Sequence, residues 1–332
     1  MRAMVLEKPG TIDDSPLKLK KITDPELGKG EILIKVSVCG VCHTDLHIVE
    51  GEIIPPSYPV VPGHQVVGLV EATGENVSEF NRGDRVGLAW LRSTCGECGY
   101  CLSARENICE NILFNGFHAN GGYAEYVSAP AAYAYKLPQD FPDVEAAPLL
   151  CAGIIGYRSL RLTGVGKSDK LALYGFGASA HITIQVAKYI GCEVYVFSRS
   201  EEHLALAMKL GANWVGSLPD KPDVKMNGSI IFAPEGSLVP TALELTAPGG
   251  TVALAGIHMS DIPSLSYSKH IYHERALRSV ANSTKQDGVE LLKIASEIPV
   301  RTEVQTFTLE EANEALLDLK SGAMQGAGVL VI

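Results

Sequence analysis

Two kinds of hydrophobic spacing divide the chain. Over residues 31–38 and 65–71, β-branched residues run in short blocks closed by Gly and Asn turn residues, the pattern of strands in a β-rich region. Short strands of this kind continue to about residue 137. Asp143 then opens a helix predicted to run through Arg161, with acidic residues in its first turn and Gly164 shortly after its end. This helix is placed as the bridge between two domains. From Lys170 the period changes. The chain reads as strand 171–174, helix to 189, strand 193–197, helix to 210, strand 229–232, helix to 246 and strand 251–255. Such alternation predicts a doubly wound parallel sheet. Two further helices, 287–297 and 309–320, precede a last strand, 328–332, with no partner close in sequence. That tail is expected to return to the N-terminal domain. The expected division is therefore residues 1–151 with 286–332 in one domain and 152–285 in the other, without internal repeats or low-complexity segments.

Composition supports this division. At 332 residues the chain exceeds what one core usually fills, so two domains of roughly 150 residues each are expected. Apolar residues make up 46% and charged residues 20%, an ordinary globular balance. There are 28 Lys and Arg against 38 Asp and Glu, a net charge of −10 spread along the chain, which would repel a phosphate backbone. No nucleic-acid partner is expected. The opening MRAMVLEKPG lacks the apolar core of a secretory signal, and no run of about 18 apolar residues could span a bilayer. A cytoplasmic protein without membrane association is the expectation. Of eight cysteines, four fall between Cys95 and Cys109 at spacings that suit a metal better than disulfides, which fits a reducing compartment.

Those four, Cys95, Cys98, Cys101 and Cys109, spell Cys-x2-Cys-x2-Cys-x7-Cys. Four thiolates at these intervals can converge tetrahedrally on one Zn²⁺, and Gly96 and Gly99 permit the tight turns this needs. With no open ligand position the ion would be structural. An iron–sulfur cluster or four unconnected thiols are the alternatives, and the spacing favours zinc. A second set is scattered: Cys42 in GVCHTDLH, His64 in PGHQVVG and Cys151 in LLCAGIIGY. Singly, His64 reads as a turn residue and Cys151 as core filler. Together they supply two thiolates and an imidazole, the three-ligand set that leaves a fourth zinc position open for chemistry. Two zinc ions per chain follow.

The Gly175-Phe176-Gly177-Ala178-Ser179-Ala180 turn follows the strand LALY and opens a helix. In that setting backbone N–H groups and a helix N-terminus meet a dinucleotide pyrophosphate, with Ala180 at the third, packing position of the motif. After the strand VYVF, where an NAD-preferring site carries Asp or Glu, the chain has Ser198-Arg199-Ser200. A guanidinium flanked by hydroxyls suits a ribose 2′-phosphate, so NADP(H) is predicted over NAD(H). Read blandly, Arg199 faces solvent in an NAD-tolerant pocket.

GVCHTDLH, the four-cysteine lobe, the Trp90-Leu91 pair before it, GGYAEY and CAGIIGY resemble the zinc alcohol dehydrogenases of the medium-chain superfamily, over nearly the whole chain. That resemblance implies an α/β protein with a β-rich, GroES-like catalytic domain and a Rossmann domain. It makes Cys42, His64 and Cys151 the catalytic ligands, Thr44 and His47 the proton relay from the reacting hydroxyl to solvent, and Asp45 the carboxylate steadying the histidine ligand. Asp45 could otherwise be a solvated turn residue. His43 would touch the cofactor pyrophosphate or, read alone, sit in a solvated turn; Trp90 and Leu91 would wall the substrate pocket or belong to the core. A homodimer or homotetramer is implied. Two positions depart from the pattern: Gln65 stands where Glu usually follows the histidine ligand, and Ala327 where a cofactor-proximal Arg is common. The implied activity is interconversion of small or medium primary alcohols and aldehydes. The rivals are another zinc reductase or polyol dehydrogenase of this fold, and a non-catalytic dinucleotide-binding protein. Cys39 and Cys192 are expected to be buried small hydrophobes, the cluster Lys18–Lys21 a solvated strand face, and His118, His181, His203, His258, His270 and His273 to have no functional role.

Overall fold

The β-branched blocks of the N-terminal half form strands. In the computed structural model, which describes residues 1–138, 141–298, 300–324 and 326–332, β1 (Arg2–Leu6) pairs antiparallel with β2 (Leu17–Lys21). Strand β3 (Glu31–Gly40) precedes helix α1 (His43–Glu50), and β4 (Gln65–Thr73) and β5 (Arg85–Leu88) follow. The lysines of β2 face outward, as expected for a solvated strand. Shorter pieces complete this stretch: β6 (Leu91–Ser93), α2 (Gly99–Leu102), β7 (Leu113–Phe114), β8 (Tyr126–Pro130), β9 (Tyr135–Lys136) and α3 (Asp143–Ala146).

The alternating region supplies α4 (Ala152–Thr163), β10 (Lys170–Tyr174), α5 (Ala178–Ile190), β11 (Glu193–Phe197), α6 (Glu201–Lys209) and β12 (Trp214–Gly216). It continues with β13 (Met226–Ile231), α7 (Leu238–Leu245), β14 (Thr246–Leu254) and β15 (Ala276–Ser279). The chain then adds α8 (Lys285–Glu297), β16 (Val304–Thr308), α9 (Ala312–Ser321) and β17 (Ala327–Val331). Two compact units result: Met1–Cys151 with Thr284–Ser296 and Arg301–Ile332, and Ala152–Ser283 with Glu297–Val300.

The first unit is built on a sheet of order β16-β17-β3-β4-β5-β9, with β8 also paired to β3. Its pairings are antiparallel except for β16 with β17. The C-terminal strand therefore does find partners: Val329 pairs with Gly40 and Val331 with Val38 on one side, and β16 runs parallel on the other. Gly40 at the end of β3 is in turn opposite Gln65 at the start of β4. An antiparallel pair brings the end of one strand beside the start of the next, so the segments holding Cys42 and His64 meet at one edge of the sheet.

The second unit holds a six-stranded, wholly parallel sheet of order β12-β11-β10-β13-β14-β15. Strand order reverses between β10 and β13, the switch point at whose carboxyl ends open α/β sheets bind ligands. Side chains alternate across the sheet. Ala172, Tyr174, Phe197, Ile231 and Val252 pack with Val239, Ala242 and Leu243 of α7, and the Tyr174 and Phe197 rings stack at 4.5 Å. Gly228, in register with Leu171, faces the other way, toward Thr163 at the end of α4 and Val165 after it. There α4 and α5 press together at Gly156, where a Cβ would lie 2.1 Å from Thr183 Oγ1.

One predicted element is broken. Residues 143–161 were expected as a single helix; instead α3 ends at Ala146, a 3₁₀ turn covers Ala147–Leu150, and Cys151 leaves helical geometry at φ −133°, ψ −71° before α4 starts. Pro148 lacks the N–H that would bond one turn back, and its ring crowds that carbonyl. The break turns Cys151 out of the apolar stripe it would otherwise join. The strands β12, β15 and β16 are additional to the expected set, each too short or too polar to show alternation of its own. No helix among the described residues is long and apolar enough to cross a membrane.

Gly156→Ala is expected to destabilise the second unit by about 1–3 kcal/mol through overpacking between α4 and α5. Adding Thr183→Ala removes the struck oxygen and should restore most of the loss; urea-midpoint shifts of the single and double variants, read as a double-mutant cycle, check this coupling.

Candidate metal centres and nucleotide site

Cys42 N-caps α1, and the break at Cys151 lets a residue 109 positions later reach the same point. The Cys42 and Cys151 sulfurs stand 3.8 Å apart, and with a ring nitrogen of His64 they form a cluster whose atoms all lie within 4.8 Å of one another. An edge of about 3.8 Å is what two sulfurs span when each is about 2.3 Å from a tetrahedral zinc. His64 is wholly buried, and its Nε2 has no hydrogen-bond partner among the described residues, a costly state for a polar atom that a bound ion would relieve. The donor set, the sulfur separation and the orphaned nitrogen all fit a zinc ion.

The other ring nitrogen is accounted for. Asp45 is fully buried, and its Oδ1 accepts from His64 Nδ1 at 3.1 Å and from the Gly63 backbone N–H at 3.1 Å. Its Oδ2 accepts from the Cys42 N–H at 3.0 Å and from the Tyr123 hydroxyl at 3.3 Å. A carboxylate only accepts, so Nδ1 carries the proton and Nε2 is the atom offered toward the sulfurs. Burial, the largest single influence, opposes a charge on His64, yet Asp45 and Cys42 together outweigh it and lift the imidazole to about 10. The hydrogen bond between the two thiols holds Cys42 well below its ordinary value, and the same bond, with burial, pushes Cys151 well above. These shifts describe a buried pocket that attracts positive charge. Tyr123, which belongs to the GGYAEY motif, was given no role by sequence reasoning; its place beside a Gly-Gly pair was the available signal.

The four-cysteine lobe also converges. Sulfur separations are 3.5 Å for Cys95 and Cys109, 3.6 Å for Cys98 and Cys101, and 3.9 Å for Cys95 and Cys101, again near a tetrahedral edge. Backbone N–H groups of Cys95, Cys98 and Asn111 donate to these sulfurs at 3.3–3.4 Å, which favours thiolates. Cys98 is pushed down to about 6, first by the Cys101 N–H, while burial lifts Cys109 to about 11.

Three more of the predicted residues, Thr44, His47 and His43, lie on α1. Thr44 is buried, with its Oγ1 3.7 Å from the Cys42 sulfur. Three residues on, on the same face of the helix, His47 is half-buried with Nδ1 against Glu52. His43 is exposed, its ring 6.3 Å from that of His47. Trp90 meets the His64 ring edge-on at 4.9 Å and stacks on Phe114 at 4.6 Å, while Leu91 is buried. Gln65 is buried with its amide against Gly40, Ala327 is buried at the start of β17, and Cys39 and Cys192 are buried as expected.

In the second unit Gly175 adopts φ +87°, open to glycine, and a Cβ there would press on the Ala233 backbone at 3.0 Å. Its N–H donates to Phe197 O, tying the glycine turn to the end of β11. Gly177 caps α5, and a Cβ on it would meet nothing within 4 Å, so the space over that N-terminus is free for a phosphate. Phe176 and Ala180 are buried, and Ala178 begins the helix. At the end of β11, Arg199 is exposed; Ser200 Oγ caps α6 by accepting from His203 N, and Ser198 Oγ accepts from Ser200 N.

Known proteins share both units. The family described as "Alcohol dehydrogenase GroES-like domain" matches residues 28–139, and that described as "Zinc-binding dehydrogenase" matches residues 180–297. A Mycobacterium tuberculosis protein, "Probable alcohol dehydrogenase AdhA", is 45% identical over 100% of this chain and 97% of its own. An alcohol dehydrogenase of Geobacillus stearothermophilus is 37% identical over 95% of each chain. The crystal structure of an alcohol dehydrogenase from Aeropyrum pernix covers 100% of both chains with a TM-score of 0.88 at 28% identity.

Asp45→Asn should weaken zinc binding at the Cys42, His64 and Cys151 cluster about 10–100-fold, because an amide of the same shape must turn an N–H toward one of the four donors. Competition against a chromophoric chelator measures it, and unchanged affinity would remove Asp45 from the support of the site.

Proposed function

Because the chain belongs to the zinc-dependent alcohol dehydrogenases of the medium-chain dehydrogenase/reductase family, we propose that it interconverts small or medium primary alcohols and aldehydes, preferring NADP(H) to NAD(H). Dependence on zinc and a nicotinamide cofactor comes with the family. The observation that carries the assignment of the site is the buried, partnerless Nε2 of His64 facing two sulfurs 3.8 Å apart. When bound there the zinc supplies Lewis acidity at the substrate oxygen, and the nicotinamide exchanges a hydride with the substrate carbon.

The chain's own residues do the rest. Asp45 fixes the tautomer and angle of His64, and so the direction of the ligand atom. Thr44 Oγ1 takes the hydroxyl proton and passes it to His47 one helical turn away, where Glu52 at the surface holds Nδ1. Trp90, held edge-on to His64 and backed by Phe114, walls the substrate space. In the second unit Gly175, Phe176, Gly177, Ala178 and Ala180 form the pyrophosphate turn; the family resemblance also implies a phosphate role for His43 of the first unit. Ser198, Arg199 and Ser200 receive the ribose 2′-phosphate, the reading favoured by an exposed guanidinium where NAD sites carry an acid. The Cys95, Cys98, Cys101 and Cys109 lobe holds a second, structural zinc. Keeping six metal-directed thiols reduced fits the cytoplasm, and a homodimer or homotetramer fits the resemblance.

An NADPH- and NADH-oxidation screen over aldehydes of graded chain length, aromatic ones included, tests the reading. Turnover should be lost in Cys42→Ser, and kcat/KM should favour NADPH; Arg199→Asp should cut the NADPH value about 10–100-fold and reverse the preference. Comparable kcat/KM for the two cofactors in the unaltered chain would defeat the NADP assignment. Metal analysis should return two zinc per chain, and one in Cys98→Ala; a single zinc in the unaltered protein contradicts the double-site reading.

A further inference from the structure

A groove of about 590 Å³ lies between β9 and α8 in the first unit, lined by no residue of either metal cluster. Its volume falls in the range of about 300–1,000 Å³ typical of small-molecule sites. Residues 285, 289, 292, 293 and 296 recur along one stripe of α8, so that helix presents a mixed face of lysine and apolar side chains to the groove. The floor is apolar: Phe80, Leu137 and Leu292 are buried, and Val289 is left 44% exposed. Among the described residues that line it are three lysines, Lys136, Lys285 and Lys293, and one acid, Glu79, with Glu106 reaching the Lys285 backbone N–H from beside it. Counted over those lining residues, three positive charges and one negative give +2, in a chain whose net charge is −10.

Two of the cations have partners in the groove wall, and Lys285 is half-buried while Lys136 and Lys293 are exposed. Lys136 Nζ stands 5.5 Å over the Phe80 ring, and Lys285 Nζ donates to the Ala132 carbonyl. Burial lowers the Lys285 ammonium from its ordinary value, with Glu79 opposing. An anion with an apolar body would satisfy both features at once, whereas a small anion would leave the floor wet and a cationic amphiphile would meet like charge. We propose that this groove binds a medium-chain alkyl carboxylate, with its chain on Phe80, Val289 and Leu292 and its headgroup among Lys136, Lys285 and Lys293.

Calorimetric titration of the full chain with decanoate, acetate and decyltrimethylammonium at fixed ionic strength tests this. Decanoate should bind one per chain, and the other two should not. Lys136→Glu/Lys293→Glu should raise the decanoate Kd at least about tenfold, and Lys136→Gln/Lys293→Gln by a smaller factor; all four substitutions fall on exposed side chains. Val289→Glu should abolish binding by placing a charge on the floor. Undetectable decanoate binding, equal binding of acetate or of the cation, or an unchanged Kd in the lysine variants overturns the proposal. The last of these would put the carboxylate elsewhere on the chain.

Discussion

The carboxylate of Asp45 is the constraint from which the first unit's chemistry follows. A buried charge with no partner costs several kcal/mol, so it persists only where donors surround it. Here four do: the backbone of Cys42, the backbone of Gly63, the His64 ring and the Tyr123 hydroxyl. These donors come from three stretches of chain, and a single acceptor therefore fixes their mutual positions. The glycines around it serve the same end. Gly63 has φ +98°, and a Cβ on it would strike the Tyr123 ring at 2.4 Å; a Cβ on Gly121 would strike Gly63 O at 2.0 Å. Close backbone approach and a buried carboxylate are thus two sides of one arrangement.

The sheets deliver the residues to that arrangement. Pairing of β3 with β4 sets the Cys42 and His64 segments side by side, and β17, arriving from the far end of the chain, closes the other side of β3. The second sulfur needs a different device, because a regular helix through 151 would bury Cys151 among apolar neighbours. Pro148 prevents that helix, and the irregular residue that results points a thiol at Cys42. In the second unit the parallel pairing of β10 with β11 puts the glycine turn and the end of β11 beside each other, linked by the bond from Gly175 N to Phe197 O. Strong local rules suffice there; the first unit depends on long-range contacts.

This difference explains what could be read from sequence. The second unit's strands and helices were legible because buried parallel strands are continuous apolar runs and their helices carry caps: Ser200 opens α6 and Gly191 closes α5. The four cysteines were legible because their spacing is local. The Cys42, His64 and Cys151 set was legible only as three weak motifs joined by resemblance, since no short-range pattern links residues 109 apart. Cys151 itself was misplaced within a helix, because propensity over 143–161 outweighed one proline in the reading and not in the fold. The short strands β12 and β15 owe their existence to sheet neighbours, and Tyr123 its importance to a carboxylate 78 residues earlier; neither cause is visible in a local window.

The same electrostatics accounts for Gln65. Its side chain is buried and packed on Gly40 in the β3–β4 ladder, immediately after His64. A carboxylate at that point would be a second buried carboxylate in a neighbourhood that already holds Asp45 and the lowered thiol of Cys42. Asp45 has already engaged the Gly63 N–H, the Cys42 N–H, the Tyr123 hydroxyl and His64 Nδ1. A neutral amide brings a donor and an acceptor of its own and adds no charge to be compensated. Gln65 therefore leaves the pocket with one buried carboxylate that is fully bonded, and the pull on a cation falls on the two sulfurs and the free nitrogen of His64.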